Sequence, residues 1–248
     1  MSIQTLKSLV KRSPALTQIY YILELLPSIP PRDFMRFAKL RLIFTVKPYS
    51  GLSYARLAQI YNLAQQIEAT NFSGAFVECG VWNGGSAAIM AELAKHNRER
   101  HVWLFDSWEG LPQPTHVDIS RDGEPGEKGT SFGYQEKVEE ILFHKLVLDP
   151  VRQHLVKGWF QDTIPSKKPQ IGPIALLHLD CDWYESIKFC LNELYDQVLD
   201  GGYIIIDDYG YWQGCKQAVD EFLLQRNLQI QLNWIDDIGI YFQKTPSR

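Results

Sequence analysis

The chain has 248 residues, of which 45% are apolar and 22% charged, and its formal net charge is −4. This composition is typical of a soluble globular protein, and the length suits one large α/β domain or at most two small ones. The acidic balance argues against a nucleic acid partner, since proteins that bind phosphates normally carry a basic surplus. The chain shows no signal-peptide pattern and no apolar run near the roughly 20 residues that span a bilayer, so we expect a cytoplasmic protein without stable membrane insertion.

Residues 1–50 are predicted to form a helical extension or lid that precedes the main domain, residues 51–248. Residues 16–26 have helical apolar spacing, residues 27–33 interrupt it with prolines, and residues 33–44 are again amphipathic, with basic residues on one side. We expect both helices to pack on the main body or on a second subunit of a homodimer. Contact with an anionic membrane surface is the alternative, because basic amphipathic helices bind such surfaces.

Strands and helices alternate after a helix predicted over residues 53–69, with Ser53 as its N-cap. Short apolar segments predict seven strands, at residues 74–80, 101–108, 151–158, 174–182, 201–208, 228–235 and 238–244. Amphipathic segments between them predict helices at residues 84–96, 134–146, 185–198 and 214–227. Repeated strand–helix units predict a doubly wound, mostly parallel α/β sheet with right-handed crossovers. Ligands of such sheets bind beyond the carboxyl ends of the strands.

One long segment, residues 108–133, is rich in Gly, Pro, Asp and Thr and shows no periodicity. A loop of this length inside a domain is usually a functional lid or is disordered.

The four cysteines, Cys79, Cys181, Cys190 and Cys215, form no CxxC pair and match no zinc pattern. Cys79 and Cys181 lie within predicted strands, where a free thiol packs as a small apolar group. We therefore expect reduced core thiols, as in a cytosolic protein.

A glycine-containing turn follows the first predicted strand, in the pattern Glu78-x-Gly80-x-x-x-Gly84-x-Ser86. Glycines let a ligand approach the backbone closely, and the following helix presents free N–H groups. The pattern departs from the dinucleotide fingerprint G-x-G-x-x-G, which argues against a nicotinamide cofactor. Glu78, at the end of a buried strand, requires a cationic or hydrogen-bonding partner, and a ligand's ammonium group would serve. A tight strand–helix turn without a ligand is the alternative.

The second predicted strand ends near Asp106, which follows the glycine turn by roughly 20 residues. In doubly wound sheets an acid at this position accepts hydrogen bonds from ribose hydroxyls. Asp106 alone could cap a helix, but together with the glycine turn it favours a nucleoside ligand.

Two later strands end in acidic pairs, Asp180 with Asp182 and Asp207 with Asp208. Alternation along a strand would direct Asp180 and Asp182 to the same side. Because adjacent parallel strands lie about 4.8 Å apart, four carboxylates should meet at the ligand-binding edge. A metal ion, an arginine or solvent could relieve their repulsion. Oxygen ligands without a nearby Cys or His pair suit Mg²⁺ or a similar hard cation, whereas some of the acids could be solvated or cap the following helices.

Five segments, in this order, resemble the macrocin O-methyltransferase (TylF/MycF/NovP) family: FVECGVWNGGSA, LFDSWEGLP, KGWFQDTIP, LHLDCDWYES and GGYIIIDDYGYWQGCKQAVDEF. The resemblance covers roughly residues 45–244. It implies a class I, Rossmann-like methyltransferase fold with a seven-stranded sheet. It also implies a metal-dependent enzyme that moves a methyl group from S-adenosylmethionine to a hydroxyl of a bacterial natural product, such as a sugar. A catechol, polyketide or peptide hydroxyl is the alternative acceptor, and a nicotinamide oxidoreductase or a non-catalytic nucleoside-binding module is the alternative of a different class.

The resemblance also implies roles for individual residues. The first S-adenosylmethionine motif matches Glu78, Gly80, Gly84 and Ser86, and the ribose-contacting strand end matches Asp106 and Ser107. The stretch beside the adenine matches Trp159, Phe160 and Gln161, and a segment over the methionine part matches Tyr49 and Ser50. Asp180 completes the implied cofactor-binding set. The implied ligands of Mg²⁺ are Asp180, Asp207 and Asp208. Asp180 or Asp182 is the implied catalytic base. The first 45 residues and the loop from Glu109 to Gly133 are expected to shape the acceptor pocket.

Overall fold

The computed structural model describes residues 14–245, so the predicted segments at residues 1–13 and 246–248 lie outside the described part of the chain. Three helices come first: α1 (Pro14–Leu25), α2 (Phe37–Val46) and α3 (Tyr54–Ala69). The predicted cap of α3 is confirmed, because Ser53 Oγ accepts the N–H of Arg56 at 3.2 Å. Within residues 14–245, every helix is too short or too polar to span a bilayer.

A seven-stranded sheet forms the centre of the domain, in the order β3-β2-β1-β4-β5-β7-β6. The strands are β1 (Ala75–Cys79), β2 (Val102–Asp106), β3 (Gln153–Lys157), β4 (Ile174–Leu179), β5 (Val198–Ile206), β6 (Asn233–Trp234) and β7 (Ile240–Gln243). The first five run parallel, whereas β7 is antiparallel to β5 and β6. The predicted doubly wound, mostly parallel sheet is confirmed. The direction of winding reverses between β1 and β4, which is where such folds bind ligands.

The remaining helices are α4 (Gly85–Ala94), α5 (Gln135–Glu139), α6 (Phe160–Ile171), α7 (Tyr184–Leu194) and α8 (Gln213–Gln225). After α5, residues 140–145 continue as a π-helix. Alternate strand residues face two separate cores, as expected for a sheet covered on both faces. Phe76, Leu104 and Leu176 belong to the core that also holds buried side chains of α2, α3 and α4. Val77, Phe105 and Leu177 belong to the core that includes α6, α7 and α8.

The N-terminal extension packs directly on the main domain. Leu40, Ile43 and Val46 of α2 are buried in the same core as α3 and α4. A buried ion pair supports this contact: Lys39 Nζ lies 2.8 Å from Asp33 Oδ2, and the Tyr54 hydroxyl donates to the same oxygen at 2.8 Å. Of the two expected partners, the main body is the one that α2 contacts, and contact with a second subunit stays a prediction.

The structure corrects several predicted boundaries. Helix α6 forms between β3 and β4, where no helix is predicted; Pro165 and Pro169 lie inside it, and burial of Ile164 and Ile171 offsets the backbone hydrogen bonds that the prolines remove. The strand predicted over residues 228–235 is wrong except for Asn233–Trp234. Strand β4 ends before Cys181, so that residue is not in a strand, although all four cysteines are buried and free as predicted.

Candidate active site

A cavity opens beyond the carboxyl ends of β1, β2, β4 and β5, at the predicted edge of the sheet. Most of the predicted site residues line it: Tyr49, Ser50, Gly80, Ser86, Asp106, Ser107, Trp159, Phe160, Gln161, Asp180, Asp182, Asp207 and Asp208. Glu78 and Gly84 do not line it. Side chains separated by more than 150 residues along the chain are thus brought to one concave surface.

The glycine turn brings two strand ends into close contact. Gly80 has a φ of +89°, and a Cβ atom at this position would overlap the carbonyl oxygen of Asp180. Gly84 is the N-cap of α4, and a Cβ there would press on Val138 at 3.1 Å, so this glycine allows a helix contact outside the cavity. A Cβ on Gly85 would overlap Ser50, which places the Tyr49–Ser50 segment directly over the N-terminus of α4.

The side chain of Asp106 holds this turn in place by accepting hydrogen bonds from backbone N–H groups. Its Oδ2 accepts the N–H groups of Val81 at 2.7 Å and Trp82 at 2.8 Å, and its Oδ1 accepts the N–H of Trp108 at 2.7 Å. The residue does not cap a helix, which was the alternative interpretation. A carboxylate offers about four lone-pair sites, so Asp106 retains acceptor capacity toward the cavity that it lines.

Tyr49 is fastened to the helix that follows the long loop. Its hydroxyl donates to Glu140 Oε1 at 2.5 Å, and Ser50 Oγ accepts the N–H of Leu52 at 3.1 Å. Hydrogen bonds from Lys137 and Tyr49 lower the pKa of Glu140 to about 2. An ionised Glu140 therefore holds one wall of the cavity.

Glu78 lies beneath the cavity and is fully buried. Its Oε1 lies 2.8 Å from Nδ1 of His178, a residue of β4 that is also fully buried. Burial by itself lowers the pKa of His178, but the neighbouring carboxylates of Asp207 and Glu78 outweigh it and raise that pKa to about 10. In this structure the hydrogen-bonding partner of Glu78 is thus a histidine of the protein.

The four predicted acids meet at the rim of the cavity, but not by strand alternation. Strand β4 ends at Leu179, and Asp182 has a φ of +56°, so Asp180 and Asp182 reach the cavity from a loop. Burial and the neighbouring Asp207 raise the pKa of Asp180 well above its usual value. Burial also raises the pKa of Asp182, to about 6, while Trp212 donates its indole N–H to Asp182 Oδ1 at 3.1 Å. Burial and Asp182 raise the pKa of Asp208.

Asp207 differs from the other acids because an arginine neutralises it. Arg56, in the first turn of α3, donates from Nη1 to Asp207 Oδ2. The same guanidinium lies 3.3 Å from Asp236 Oδ2 through Nε. Burial lowers the pKa of Arg56, but Asp207 and Asp236 outweigh it and raise that pKa. The sequence left a metal ion, an arginine or solvent as possible partners of the acidic pairs, and the structure shows an arginine at Asp207.

A cation would fit beside this arginine. Ligand atoms of His178, Asp180 and Asp207 all lie within 4.8 Å of one another. Among residues 14–245, no group forms a hydrogen bond with the buried atoms His178 Nε2 and Asp207 Oδ1, which is costly unless another group satisfies them. Two carboxylates and a neutral imidazole are ordinary ligands of divalent cations, so a cation bound by His178 would displace the proton that Glu78 and Asp207 favour on this ring. Asp208, a predicted ligand, lines the cavity but is not a member of this three-residue group.

Arg56 and His178 lie beside the acidic rim but are absent from the predicted site residues. Arg56 lies in a helix without any motif, 151 residues from Asp207. His178 directly precedes the acidic segment, and its position two residues before Asp180 was the available signal.

Comparison with known proteins supports the resemblance to the macrocin O-methyltransferase family. The model of the macrocin O-methyltransferase (TylF) family matches residues 46–244. Demethyldecarbamoylnovobiocin O-methyltransferase from Streptomyces niveus is 34% identical over 206 residues, which cover 79% of this chain and 76% of that protein. Mycinamicin III 3''-O-methyltransferase from Micromonospora griseorubida is 28% identical over 209 residues, with 79% of each chain covered.

Solved structures agree with these sequence matches. The O-methyltransferase NovP superimposes with a TM-score of 0.70 at 32% identity, over 80% of this chain and 83% of that one. A calicheamicin methyltransferase shares the fold, with a TM-score of 0.66 at 22% identity over 93% of both chains. These matches favour neither a nicotinamide oxidoreductase nor a non-catalytic binding module. The chain belongs to the macrocin O-methyltransferase family and is an S-adenosylmethionine-dependent O-methyltransferase.

Proposed function

We propose that this enzyme transfers the methyl group of S-adenosylmethionine to a sugar hydroxyl of a bacterial natural product. The observation that carries the proposal is the shared cavity, in which the predicted cofactor residues and the four rim acids face one another. The related enzymes support the acceptor class, since one is named for a demethyldecarbamoylnovobiocin substrate and another for the 3''-hydroxyl of mycinamicin III. A third is named for a rhamnosyl-tetracenomycin.

The cofactor would lie along the strand ends, with its nucleoside toward β2. Asp106 would accept a hydrogen bond from a ribose hydroxyl at its remaining acceptor site, and Trp159, Phe160 and Gln161 would contact the adenine. The Tyr49–Ser50 segment would cover the methionine part above the N-terminus of α4. In this arrangement Glu78 and Gly84 would act from outside the cavity, by supporting the strand end and the helix.

Proton removal from the acceptor falls to the rim acids. Asp180 or Asp182 would take the hydroxyl proton, and the oxygen would then attack the methyl carbon as its bond to the sulfonium sulfur breaks. The products are the methyl ether and neutral S-adenosylhomocysteine. Burial raises the pKa of Asp182 to about 6, which makes it a stronger base than an exposed aspartate. Positioning of acceptor, methyl group and sulfur would supply much of the remaining acceleration.

A divalent cation such as Mg²⁺ would be held by Asp180, Asp207 and Asp208, next to His178. When bound, such a cation lowers the pKa of a coordinated hydroxyl, as metals do for water. The orphaned oxygen of Asp207 supports a cation here, because Arg56 neutralises only the other oxygen of that carboxylate.

The long loop and the N-terminal extension would close the acceptor side. Gly110, Leu111, Pro112 and Ser131 of the loop line the cavity, and Tyr49 at the end of the extension lines it as well. Closure would exclude water from the reacting groups. The first 50 residues would thus act as part of a lid over the domain that follows.

We also infer a cytoplasmic homodimer. The four free, buried cysteines suit a reducing compartment. Phe34, Met35 and Phe37 of the extension are exposed, with Met35 at 78%, and a second subunit would cover them. Light scattering on the purified protein would measure the mass, and a monomer at micromolar concentration would overturn the dimer.

The deciding experiment is calorimetric titration of S-adenosylhomocysteine into the purified protein, with and without Mg²⁺. We expect micromolar binding that tightens with Mg²⁺. An absence of binding in both conditions would refute the assigned cofactor. Methyl transfer to a panel of glycosides, simple diols and catechols, followed by mass spectrometry, would then test the acceptor class. Turnover of catechols with no turnover of any glycoside would overturn the sugar proposal.

A further inference from the structure

Arg56 lies where three parts of the chain meet beneath the acidic rim. It belongs to the first turn of α3, its guanidinium pairs with Asp207 after β5, and its Nε lies 3.3 Å from Asp236 in the turn between β6 and β7. Only 13% of its side chain is exposed. A buried cation in contact with two carboxylates from separate elements constrains the relative position of both.

Asp236 is itself held firmly. Its Oδ1 accepts the N–H groups of Ile238 at 3.0 Å and Gly239 at 2.8 Å, and its Oδ2 accepts the Ser53 hydroxyl at 2.8 Å. A Cβ on Gly239 would lie 3.0 Å from Cδ of Arg56, so the turn packs against the aliphatic part of the arginine. Arg56 is therefore fixed along its whole length before it reaches Asp207.

The consequence for Asp207 is an asymmetric carboxylate. Oδ2 accepts from Arg56, whereas Oδ1 is buried, has no hydrogen-bond partner in the described part of the chain and lies 4.0 Å from Nε2 of His178. Oδ1 is thus the oxygen that faces the candidate cation position between Asp207, His178 and Asp180. Rotation of the carboxylate would break the pair with Arg56.

We propose that Arg56 is a positioning residue of the active site, which holds Asp207 so that a single oxygen faces the cation position. The proposal rests on the proposed function, since it assigns a task in cation binding. The guanidinium also brings fixed positive charge to a rim of four acids. Arg56 acts through Asp207 and is not among the residues that line the cavity.

A plain structural brace between α3 and the sheet would use the same contacts, so the test must separate the two roles. Arg56→Lys keeps the charge but cannot reach Asp207 and Asp236 together, because an ammonium lacks the guanidinium fork. Asp236→Asn keeps the size of the second anchor but removes its charge, so the guanidinium is held less firmly while the carboxylate of Asp207 is unchanged. Arg226→Lys is the matched control, since Arg226 also pairs with a carboxylate at two points, but on the surface. Its Nη1 donates to Asp196 Oδ1, and its Nη2 donates to Asp196 Oδ2 at 3.0 Å.

Each protein would be saturated with S-adenosylhomocysteine and titrated with Mg²⁺ in the calorimeter, and its thermal midpoint and S-adenosylhomocysteine affinity without Mg²⁺ would be recorded. For Arg56→Lys we expect Mg²⁺ affinity to fall about tenfold or more, the range seen when outer groups that orient metal ligands are removed. S-adenosylhomocysteine affinity should stay within about twofold of wild type, and Asp236→Asn should weaken Mg²⁺ binding in the same direction. Arg226→Lys should leave all three quantities unchanged.

Unchanged Mg²⁺ affinity in Arg56→Lys would overturn the positioning role. A parallel loss of thermal stability and S-adenosylhomocysteine affinity in Arg56→Lys and Asp236→Asn would overturn it as well, because a structural brace predicts that result. If Arg56→Lys does not fold, Asp236→Asn alone decides between these outcomes. Wild-type protein that binds S-adenosylhomocysteine but no Mg²⁺ would overturn this inference together with the proposed cation. Wild-type protein that binds neither would refute the proposed function itself.

Discussion

The hydroxyl of Tyr49 donates a 2.5 Å hydrogen bond to Glu140, which joins the end of the N-terminal extension to the helix that follows the long loop. Two segments that flank the cavity, 91 residues apart in sequence, are thereby held together. We expect Tyr49→Phe to weaken S-adenosylhomocysteine binding several-fold and to cost about 1 kcal/mol of folding free energy, the value of one hydrogen bond. Calorimetry and urea unfolding would measure both. Tyr134→Phe, at a largely exposed tyrosine, is the control. Unaltered affinity in Tyr49→Phe would contradict the role of this wall.

Glu140 gives this contact a pH dependence. Its pKa is about 2 in the folded protein against 4.5 for the free side chain, because Lys137 and Tyr49 donate hydrogen bonds to it. The unfolded chain therefore binds the proton more readily, and the stabilisation is present above pH 4.5 and is lost as the pH falls toward 2. We expect wild type to be more stable than Glu140→Gln at pH 7, and this difference in unfolding free energy to shrink at pH 3. Glu136→Gln, at an exposed residue of the same helix, should show no such trend. A constant difference would contradict the assignment.

Gly80 should tolerate no side chain, because two costs coincide there. Its φ is +89°, and a Cβ would overlap the Asp180 carbonyl oxygen. Gly123 has a φ of +90° with no atom within 4 Å of a Cβ, so it isolates the backbone cost. We expect Gly123→Ala to cost about 1 kcal/mol. Gly80→Ala should cost roughly 3 kcal/mol or more and abolish S-adenosylhomocysteine binding, because β1 and β4 must separate. If Gly80→Ala and Gly123→Ala lose the same unfolding free energy in urea, the close approach of Gly80 to the Asp180 carbonyl oxygen adds nothing to the cost.

Asp118 anchors the long loop to the domain. It is 1% exposed, its Oδ1 accepts the N–H of Tyr184 at the start of α7 at 2.8 Å, and its Oδ2 accepts the N–H of Thr115 at 2.6 Å. We expect Asp118→Ala to speed proteolytic cleavage within residues 109–133 and to raise the KM for the acceptor, while S-adenosylhomocysteine affinity changes little. Glu127→Ala, at an exposed acid of the same loop, should leave KM unaltered. A loop that resists protease equally in both variants would refute the anchor.

Asp180 and Asp182 can be compared directly as candidate bases. Asp180→Asn and Asp182→Asn each remove one proton acceptor with little change in size. We expect the variant that lacks the base to lose 10²- to 10⁴-fold in kcat while it still binds S-adenosylhomocysteine, since a positioned base contributes that much. Asp220→Asn, at a partly exposed acid of α8, is the control. If both rim variants retain more than a tenth of the wild-type kcat, neither carboxylate is the base.

Several features of the site follow from local sequence. Apolar segments and intervening helices predict the doubly wound sheet, and Gly80, Asp106 and the acids after β4 and β5 line the cavity because carboxyl ends of parallel strands share one edge. Helix α6 was missed, because Pro165 and Pro169 are local breaking signals that burial of Ile164 and Ile171 outweighs. Strand alternation was the wrong argument for Asp180 and Asp182, since the backbone leaves the extended conformation after Leu179.

The sequence by itself determined most of the order of strands and helices, with α6 as an exception, together with the edge at which ligands bind and the acids gathered there. Each of these depends on periodicity or on residues close together in the chain. Only the tertiary structure decided how those acids are neutralised. Arg56 reaches Asp207 across 151 residues, and Glu78 reaches His178 across 100. Electrostatic partners are chosen by distance in the folded chain, and no local pattern encodes which cation will lie beside a buried carboxylate.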